Sequence, residues 1–179
     1  MSISQTIVVA AYLTLPLVVG GILHMITVKT DLLAFAKIPV NATAFGANKT
    51  WRGFLVMSFG TAFATFVIGR LETTPLAVFA GPQGIPLGFL LGFAYALFEL
   101  PNSYLKRRMG IQPGELPREK RWLFFALDHT DSLLGCTLVY FLWRPDLLPS
   151  IVGFFFLGPT IHTLVNLVLY ALRIRKQPF

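Results

Sequence analysis

Two aspartates, Asp128 and Asp131, lie within an apolar stretch of the sequence. Ionisable groups at membrane depth cost about 2.5–3.5 kcal/mol each on insertion scales and usually mark a functional site. Their spacing of three residues places both carboxylates on the same face of a helix. We therefore expect a cation between them, and Mg²⁺ suits this position because it typically takes one or two carboxylates together with phosphate oxygens.

A third acidic residue, Glu99, also lies in an apolar stretch. It precedes Lys106 by seven residues, just as Asp128 follows Arg121 by seven. At a rise of about 1.5 Å per residue, each carboxylate is about 10 Å inside the basic boundary. We expect these two acids and Asp131 to meet at one level and to hold one or two Mg²⁺ ions. The alternative is that nearby lysines or arginines neutralise the three acids.

The segment 48–53 carries side chains suited to phosphate. Lys49 and Arg52 supply hydrogen-bond donors, and the arginine can bind two oxygens at once. Asn48 and Thr50 are placed to cap the helix that follows, and a helix N-terminus itself favours anions. A basic anchor beside the membrane is the alternative interpretation of this segment.

Polar residues follow Glu99 at helical spacing. Asn102, Ser103 and Lys106 share its helix face at spacings of three, four and seven, and Arg107 comes next. The pattern predicts a polar stripe from the buried acid to the basic rim of the membrane.

The composition indicates a membrane protein, because 55% of the residues are hydrophobic and the mean hydropathy is +0.67. We expect one all-helical transmembrane domain over residues 1–179, without an internal disulfide because there is a single cysteine. A cleavable signal peptide is not expected, since the N-terminal stretch lacks a basic region. Five stretches approach the about 20 apolar residues that a bilayer requires. They are residues 5–27, 53–69, 85–105, 122–142 and 147–172.

The basic residues predict the orientation of these spans. Only Arg70 and Arg144 fall on one side, and the other 13 of the 15 lysines and arginines fall on the opposite side. The positive-inside rule makes the basic side cytoplasmic, with the N-terminus outside and the C-terminus inside the cell membrane. The net charge of +7 is then a one-sided surface that attracts anionic lipid. Nucleic acid is not an expected partner, because no nucleic-acid-binding module is present.

Three motifs together resemble a known family. The sequences Asn-Lys-Thr-Trp-Arg-Gly at 48–53, Ser-x-x-Lys-Arg-Arg at 103–108 and Asp-x-x-Asp-Ser at 128–132 are similar to those of the CTP-dependent lipid cytidylyltransferases. This superfamily includes phosphatidate cytidylyltransferase and the shorter CDP-archaeol synthases, and the five-span length is closer to the latter. The resemblance covers residues 37–135. One departure is Glu99, where the family usually has aspartate.

The resemblance implies a membrane enzyme that transfers CMP from CTP to a lipid phosphomonoester in the inner leaflet and releases pyrophosphate. Magnesium would be held by Glu99, Asp128 and Asp131, which with Lys49 form the catalytic set. The substrate-binding residues would be Asn48, Thr50, Arg52, Asn102, Ser103, Lys106 and Arg107. The lipid could be phosphatidate or an archaeol-type phosphate, and a homodimer is compatible with the sequence.

Two other functions remain open. A CTP-dependent lipid kinase of the polyprenol type would share the Lys-Thr-Trp element but would release CDP. A non-catalytic membrane protein would carry buried carboxylates without binding CTP. His129 is expected to have a structural role, and the lone histidines His24 and His162 are expected to be satisfied core or interface groups.

Overall fold

The computed structural model describes residues 2–73, 76–113, 115 and 121–174. Within these residues the chain is helical, and its β-structure is one isolated bridge between Pro39 and Thr50. The predicted all-helical fold is confirmed. The α-helices are α1 (Ile3–Lys29), α2 (Ala42–Phe45), α3 (Trp51–Leu71), α4 (Gly84–Arg108), α5 (Arg121–Trp143) and α6 (Leu148–Ala171).

The five predicted spans coincide with α1, α3, α4, α5 and α6. By length and composition, four described segments can cross a membrane: α1, α3, α4 and Pro145–Ala171, which contains α6. The remaining helix, α5, has 23 residues, but Asp128, His129 and Asp131 lie in its first half and lower its mean hydropathy. The structure is that of a multi-pass helical membrane protein in which the paired aspartates lie on the long helix outside this set of four.

The orientation of the spans stays a prediction. It depends in part on residues whose positions or side chains lie outside the described residues. These are Arg118, Lys120, Arg121, Arg175 and Lys176.

The five long helices form a ring. Helix α3 packs between α1 and α4, α5 packs between α4 and α6, and α6 returns to α1. Glycines allow the α3–α4 pair to approach closely, as small residues do in membrane bundles. A Cβ atom at Gly92 would lie 2.1 Å from the carbonyl oxygen of Met57. Because α3 and α4 approach so closely, a larger side chain at Gly92 would force these helices apart.

The packed core fills the half of the ring where α5 ends and α6 begins. Tyr140 is fully buried there and donates a hydrogen bond of 2.7 Å to the carbonyl oxygen of Leu13. Its ring packs edge-on against Phe154. The opposite half, where α4 ends and α5 begins, contains a cavity instead of a continuous core.

The connection from α1 to α3 is held by backbone hydrogen bonds. The N–H of Val40 donates to the carbonyl of Lys49 at 2.8 Å, and the N–H of Trp51 donates to that of Ile38 at 3.0 Å. The hydroxyl of Thr50 accepts from the backbone N–H three residues later at 3.4 Å, which confirms its predicted capping role. These contacts fix the backbone of Lys49 at the start of α3.

Candidate active site

A cavity of about 480 Å³ lies between the five helices, and it collects most of the residues that the sequence singled out. Eight of the 11 predicted site residues line it. They are Asn48, Lys49, Glu99, Asn102, Ser103, Lys106, Asp128 and Asp131.

The two aspartates of α5 are joined by one amide from α4. The Nδ2 of Asn102 donates to Asp128 Oδ1 at 2.7 Å and to Asp131 Oδ2 at 2.9 Å. Both carboxylates therefore point toward the same part of the cavity. The Oδ1 of Asn102 is buried and accepts no hydrogen bond from the described residues.

Each of two acids has a lysine partner. Lys106, which is 8% exposed, places its Nζ 2.5 Å from both carboxylate oxygens of Asp128. Lys49 pairs with Glu99 across the cavity. Burial alone lowers the pKa of the Lys49 ammonium, but the adjacent Glu99 carboxylate outweighs it and raises that pKa above its ordinary value. The described structure thus contains the lysine neutralisation that the sequence left as an alternative.

Ser132 was missed as a site residue, although it is the last residue of the Asp-x-x-Asp-Ser motif. Its hydroxyl lies 3.2 Å from Glu99 Oε1 and 3.1 Å from Asp131 Oδ1, and its backbone N–H donates to Asp131 Oδ1 at 2.6 Å. A hydroxyl has one proton to donate, so it bonds one of these carboxylates at a time. Ser132 therefore links the α4 acid to the α5 pair.

The acids only partly match the predicted metal group. Among the described residues, no three His, Cys, Asp or Glu side chains are grouped closely enough to hold a metal ion. Glu99 is instead turned to Lys49. Asp128 and Asp131 remain a pair whose oxygens share the Asn102 amide, and two carboxylates are the number that Mg²⁺ commonly takes when phosphate oxygens complete its shell. The donor set of this pair therefore fits Mg²⁺.

Arg52 is not brought to the cavity wall. It is 5% exposed, and its Nη1 donates to Asp31 Oδ1 at 2.7 Å and to the carbonyl oxygen of Leu32 at 3.3 Å. Hydrogen bonds from Arg52 and then from Lys37 lower the pKa of Asp31 below its ordinary value. In this structure Arg52 links the residues that follow α1 to the start of α3 by hydrogen bonds.

Arg107 and Thr50 also lie outside the cavity lining, but Arg107 keeps unused donors. Its Nε and Nη1 are buried and have no hydrogen-bond partner among the described residues. A Cβ atom at Gly46, whose φ is +91°, would lie 3.0 Å from Asn48 Oδ1 and 3.6 Å from Arg107 Nε. A side chain at position 46 would therefore crowd Asn48, and the glycine lets this loop pack closely beside Arg107.

The wall opposite the acids comes from α1 and α6 and is mainly apolar. His24 and His162, interpreted from the sequence as satisfied core or interface groups, line the cavity on this wall. The ring of His162 packs against that of His129 with centroids 5.4 Å apart. Asn166 lines the same wall and was missed, although an amide one helical turn after His162 in an apolar stretch is a visible signal.

A protein-family model and several curated proteins are similar to this chain. The model of the CarS-like family, described as CDP-archaeol synthase, matches residues 3–179. A CDP-archaeol synthase of Methanoculleus marisnigri is 30% identical over 145 residues, covering 75% of this chain and 81% of the relative. That of Sulfolobus acidocaldarius is 27% identical over 165 residues, covering 91% of each chain.

A third relative, the CDP-archaeol synthase of Natronomonas pharaonis, is 32% identical over 145 residues, covering 75% of this chain and 71% of the relative. No solved structure matches significantly. The family match spans nearly the whole chain, including the cavity residues of α4 and α5. The chain therefore belongs to the CarS-like family of CDP-archaeol synthases.

Proposed function

We propose that this protein transfers CMP from CTP to an archaeol-type lipid phosphate and releases pyrophosphate. The observation that carries the proposal is the carboxylate pair of Asp128 and Asp131, joined by Asn102 inside a membrane cavity with one polar and one apolar wall. The names of the relatives favour archaeol phosphate over phosphatidate as the lipid.

The two walls suit the two substrates. Lys49, Lys106 and Asn48 line the polar wall, and Arg107 lies beside Gly46 with spare donors. These groups are suited to the triphosphate of CTP. The apolar wall of α1 and α6 is suited to the chains of the lipid. The positive-inside rule supports a cavity that opens toward the cytoplasm, where it meets CTP and the inner leaflet.

The reaction requires alignment more than proton transfer. An oxygen of the lipid phosphate attacks the α-phosphorus of CTP, and the bond from that phosphorus to the oxygen bridging to the β-phosphate breaks, which releases pyrophosphate. The attacking phosphate is already anionic at neutral pH, so no strong general base is needed. Positioning and charge neutralisation then supply the catalysis, as in phosphoryl transfer generally.

Asp128 and Asp131 are the residues that would hold Mg²⁺, and Ser132 links Glu99 to this pair. The metal supplies positive charge against the phosphate oxygens. Lys49 and Lys106 now compensate Glu99 and Asp128, and in the substrate complex they turn their ammonium groups to phosphate oxygens. Asn102 and Ser132 keep the carboxylates oriented. The Ser103 hydroxyl is a further polar group on this wall.

The test is product analysis with purified protein in detergent, CTP, Mg²⁺ and a dialkylglycerol phosphate. We expect release of pyrophosphate that requires the lipid phosphate and is lost in Asp131→Asn. Formation of CDP with a lipid alcohol would identify a lipid kinase instead. Absence of CTP binding would favour the non-catalytic alternative.

A further inference from the structure

The segment 32–38, which follows α1 at the basic end of the bundle, exposes large apolar side chains. Four of its residues are between 41% and 75% exposed, and they are Leu32, Leu33, Phe35 and Ile38. Only Ala36 of this segment is buried. An exposed apolar patch of this kind marks a surface that contacts a membrane or another protein.

The backbone of this segment is attached to the start of α3. The carbonyl oxygen of Leu32 accepts a hydrogen bond from Arg52 Nη1 at 3.3 Å. The carbonyl oxygen of Ile38 accepts one from the backbone N–H of Trp51 at 3.0 Å. Between these two attachments, the carbonyl oxygen of Leu33 accepts from the N–H three residues later at 2.9 Å. The apolar side chains are therefore displayed by a fixed turn.

Helix α3 relates this turn to the membrane. From the first residue of the helix onward, exposed large side chains recur at every fourth position and so form one stripe. They are Trp51, Leu55, Phe59 and Phe63. Since α3 is long and apolar enough to span a bilayer, this stripe faces lipid. The hydrogen bond between Trp51 and Ile38 places the apolar segment beside the basic end of the stripe.

Two lysines indicate which layer of the bilayer the segment meets. Lys29 is the last residue of α1, Lys37 lies within the segment, and both are exposed. Lysines at such positions extend their ammonium groups toward the lipid headgroups and keep their apolar stems in the chain region. The Nζ of Lys37 lies 3.1 Å from Asp31 Oδ1, and both side chains are 55% exposed. The segment therefore lies at the boundary between headgroups and chains, because the centre of the bilayer would not accept these charges.

We propose that residues 32–38 form an interfacial anchor, in which Leu32, Leu33, Phe35 and Ile38 insert among the lipid chains just below the headgroups. The occupant of this surface is the bilayer itself, because the surface is continuous with the lipid-facing stripe of α3. The inference goes beyond the proposed function and uses no substrate. Its consequence for the site is mechanical, since the same connection carries Lys49, whose carbonyl oxygen accepts from Val40 at 2.8 Å.

Spin labelling in liposomes measures the depth of the anchor. The chain has one cysteine, Cys136, which is fully buried, so Cys136→Ala gives a background without cysteine. A nitroxide is attached at Phe35→Cys, the most exposed position of the anchor. Oxygen concentrates among lipid chains and a nickel chelate stays in water, so power saturation with each reagent reports depth. We expect the label about 5–10 Å below the lipid phosphates.

Two further labels are the matched controls. Phe59→Cys reports the lipid-facing stripe of α3 and should be the most accessible to oxygen. Thr43→Cys reports an exposed polar residue of α2, in the same connection as the anchor, and should be the most accessible to nickel. Ile38→Cys is a second reporter of the anchor if Phe35→Cys does not insert stably.

Each outcome decides the proposal. An anchor label at a depth between those of positions 43 and 59 supports it, whether or not pyrophosphate release is detected. Equal oxygen-to-nickel ratios at positions 35 and 43 would overturn it. Low accessibility to both reagents, with a strongly immobilised spectrum at position 35, would show that protein covers this surface, such as a second copy of the chain, and would also overturn it.

Discussion

Lys49, on the loop before α3, reaches across the cavity to pair with Glu99 on α4, 50 residues further along the chain. The backbone of Lys49 is fixed by its carbonyl, which accepts from Val40, and the carboxylate of Glu99 is also within reach of Ser132. The pair therefore ties the α1–α3 connection to the membrane-embedded acids.

The first prediction concerns this pair. Lys49→Met leaves the Glu99 carboxylate without its cation in a partly buried position, which should destabilise the protein by about 1–3 kcal/mol. Adding Glu99→Gln should recover part of that loss, because the uncompensated charge disappears. Thermal unfolding of the two single variants and the double variant in detergent measures the coupling. Additive losses would contradict an energetic link between the two residues.

The second prediction concerns the paired aspartates. Asp128→Asn and Asp131→Asn should each lower turnover by at least about 100-fold, because each removes a carboxylate that would hold Mg²⁺ against the phosphate oxygens. Asp131→Asn keeps an oxygen within reach of Asn102, so its unfolding temperature should change little. Asp128→Asn also leaves the buried Lys106 ammonium without its carboxylate, so its unfolding temperature should fall. Weakened Mn²⁺ binding, measured by electron paramagnetic resonance, is the second readout. Near-normal turnover in either folded variant would remove the metal assignment.

The third prediction separates the roles of two arginines. Arg107→Gln should raise the KM for CTP about 10-fold, because the guanidinium has unused donors in the loop beside Asn48. Arg52→Gln should instead lower the unfolding temperature, because Arg52 donates hydrogen bonds to Asp31 and to the carbonyl oxygen of Leu32. Steady-state kinetics and thermal unfolding of both variants test the contrast. A larger change in the KM for CTP in Arg52→Gln than in Arg107→Gln would reverse these roles.

The fourth prediction is the pH dependence of the Asp31 contact. The pKa of Asp31 is lowered in the folded protein by Arg52 and Lys37, so its stabilising contribution is present above the ordinary value of 3.8. That contribution is lost as the pH falls from 3.8 through the lower folded pKa. The difference in unfolding temperature between the wild type and Asp31→Asn should therefore be present at neutral pH and shrink in acid. A difference that is constant down to about pH 3 would exclude this ion pair as its source.

Much of the architecture could be predicted from the sequence, because it depends on neighbours along the chain. Apolar stretches of sufficient length gave the positions of the five long helices, and the spacing of Asp128 and Asp131 required a shared face on α5. The cap at Thr50 also depends only on residues of the next helical turn. The motifs at 48–53, 103–108 and 128–132 were sufficient to indicate the family.

Contacts between helices were decided only by the tertiary structure. Nothing in the local spacing distinguishes Arg52, which turns to Asp31, from Arg107, which keeps unused donors beside Gly46. Ser132 is likewise part of the site only because Glu99 of α4 lies opposite it, and Asn166 only because it lines the cavity. Helical periodicity determines which side chains share a face, but the packing of helices determines which faces meet and how far each side chain reaches. The sequence by itself therefore determined the membrane helices and the chemistry available to them, and the ring of five helices decided which groups pair with one another and which are left for a ligand.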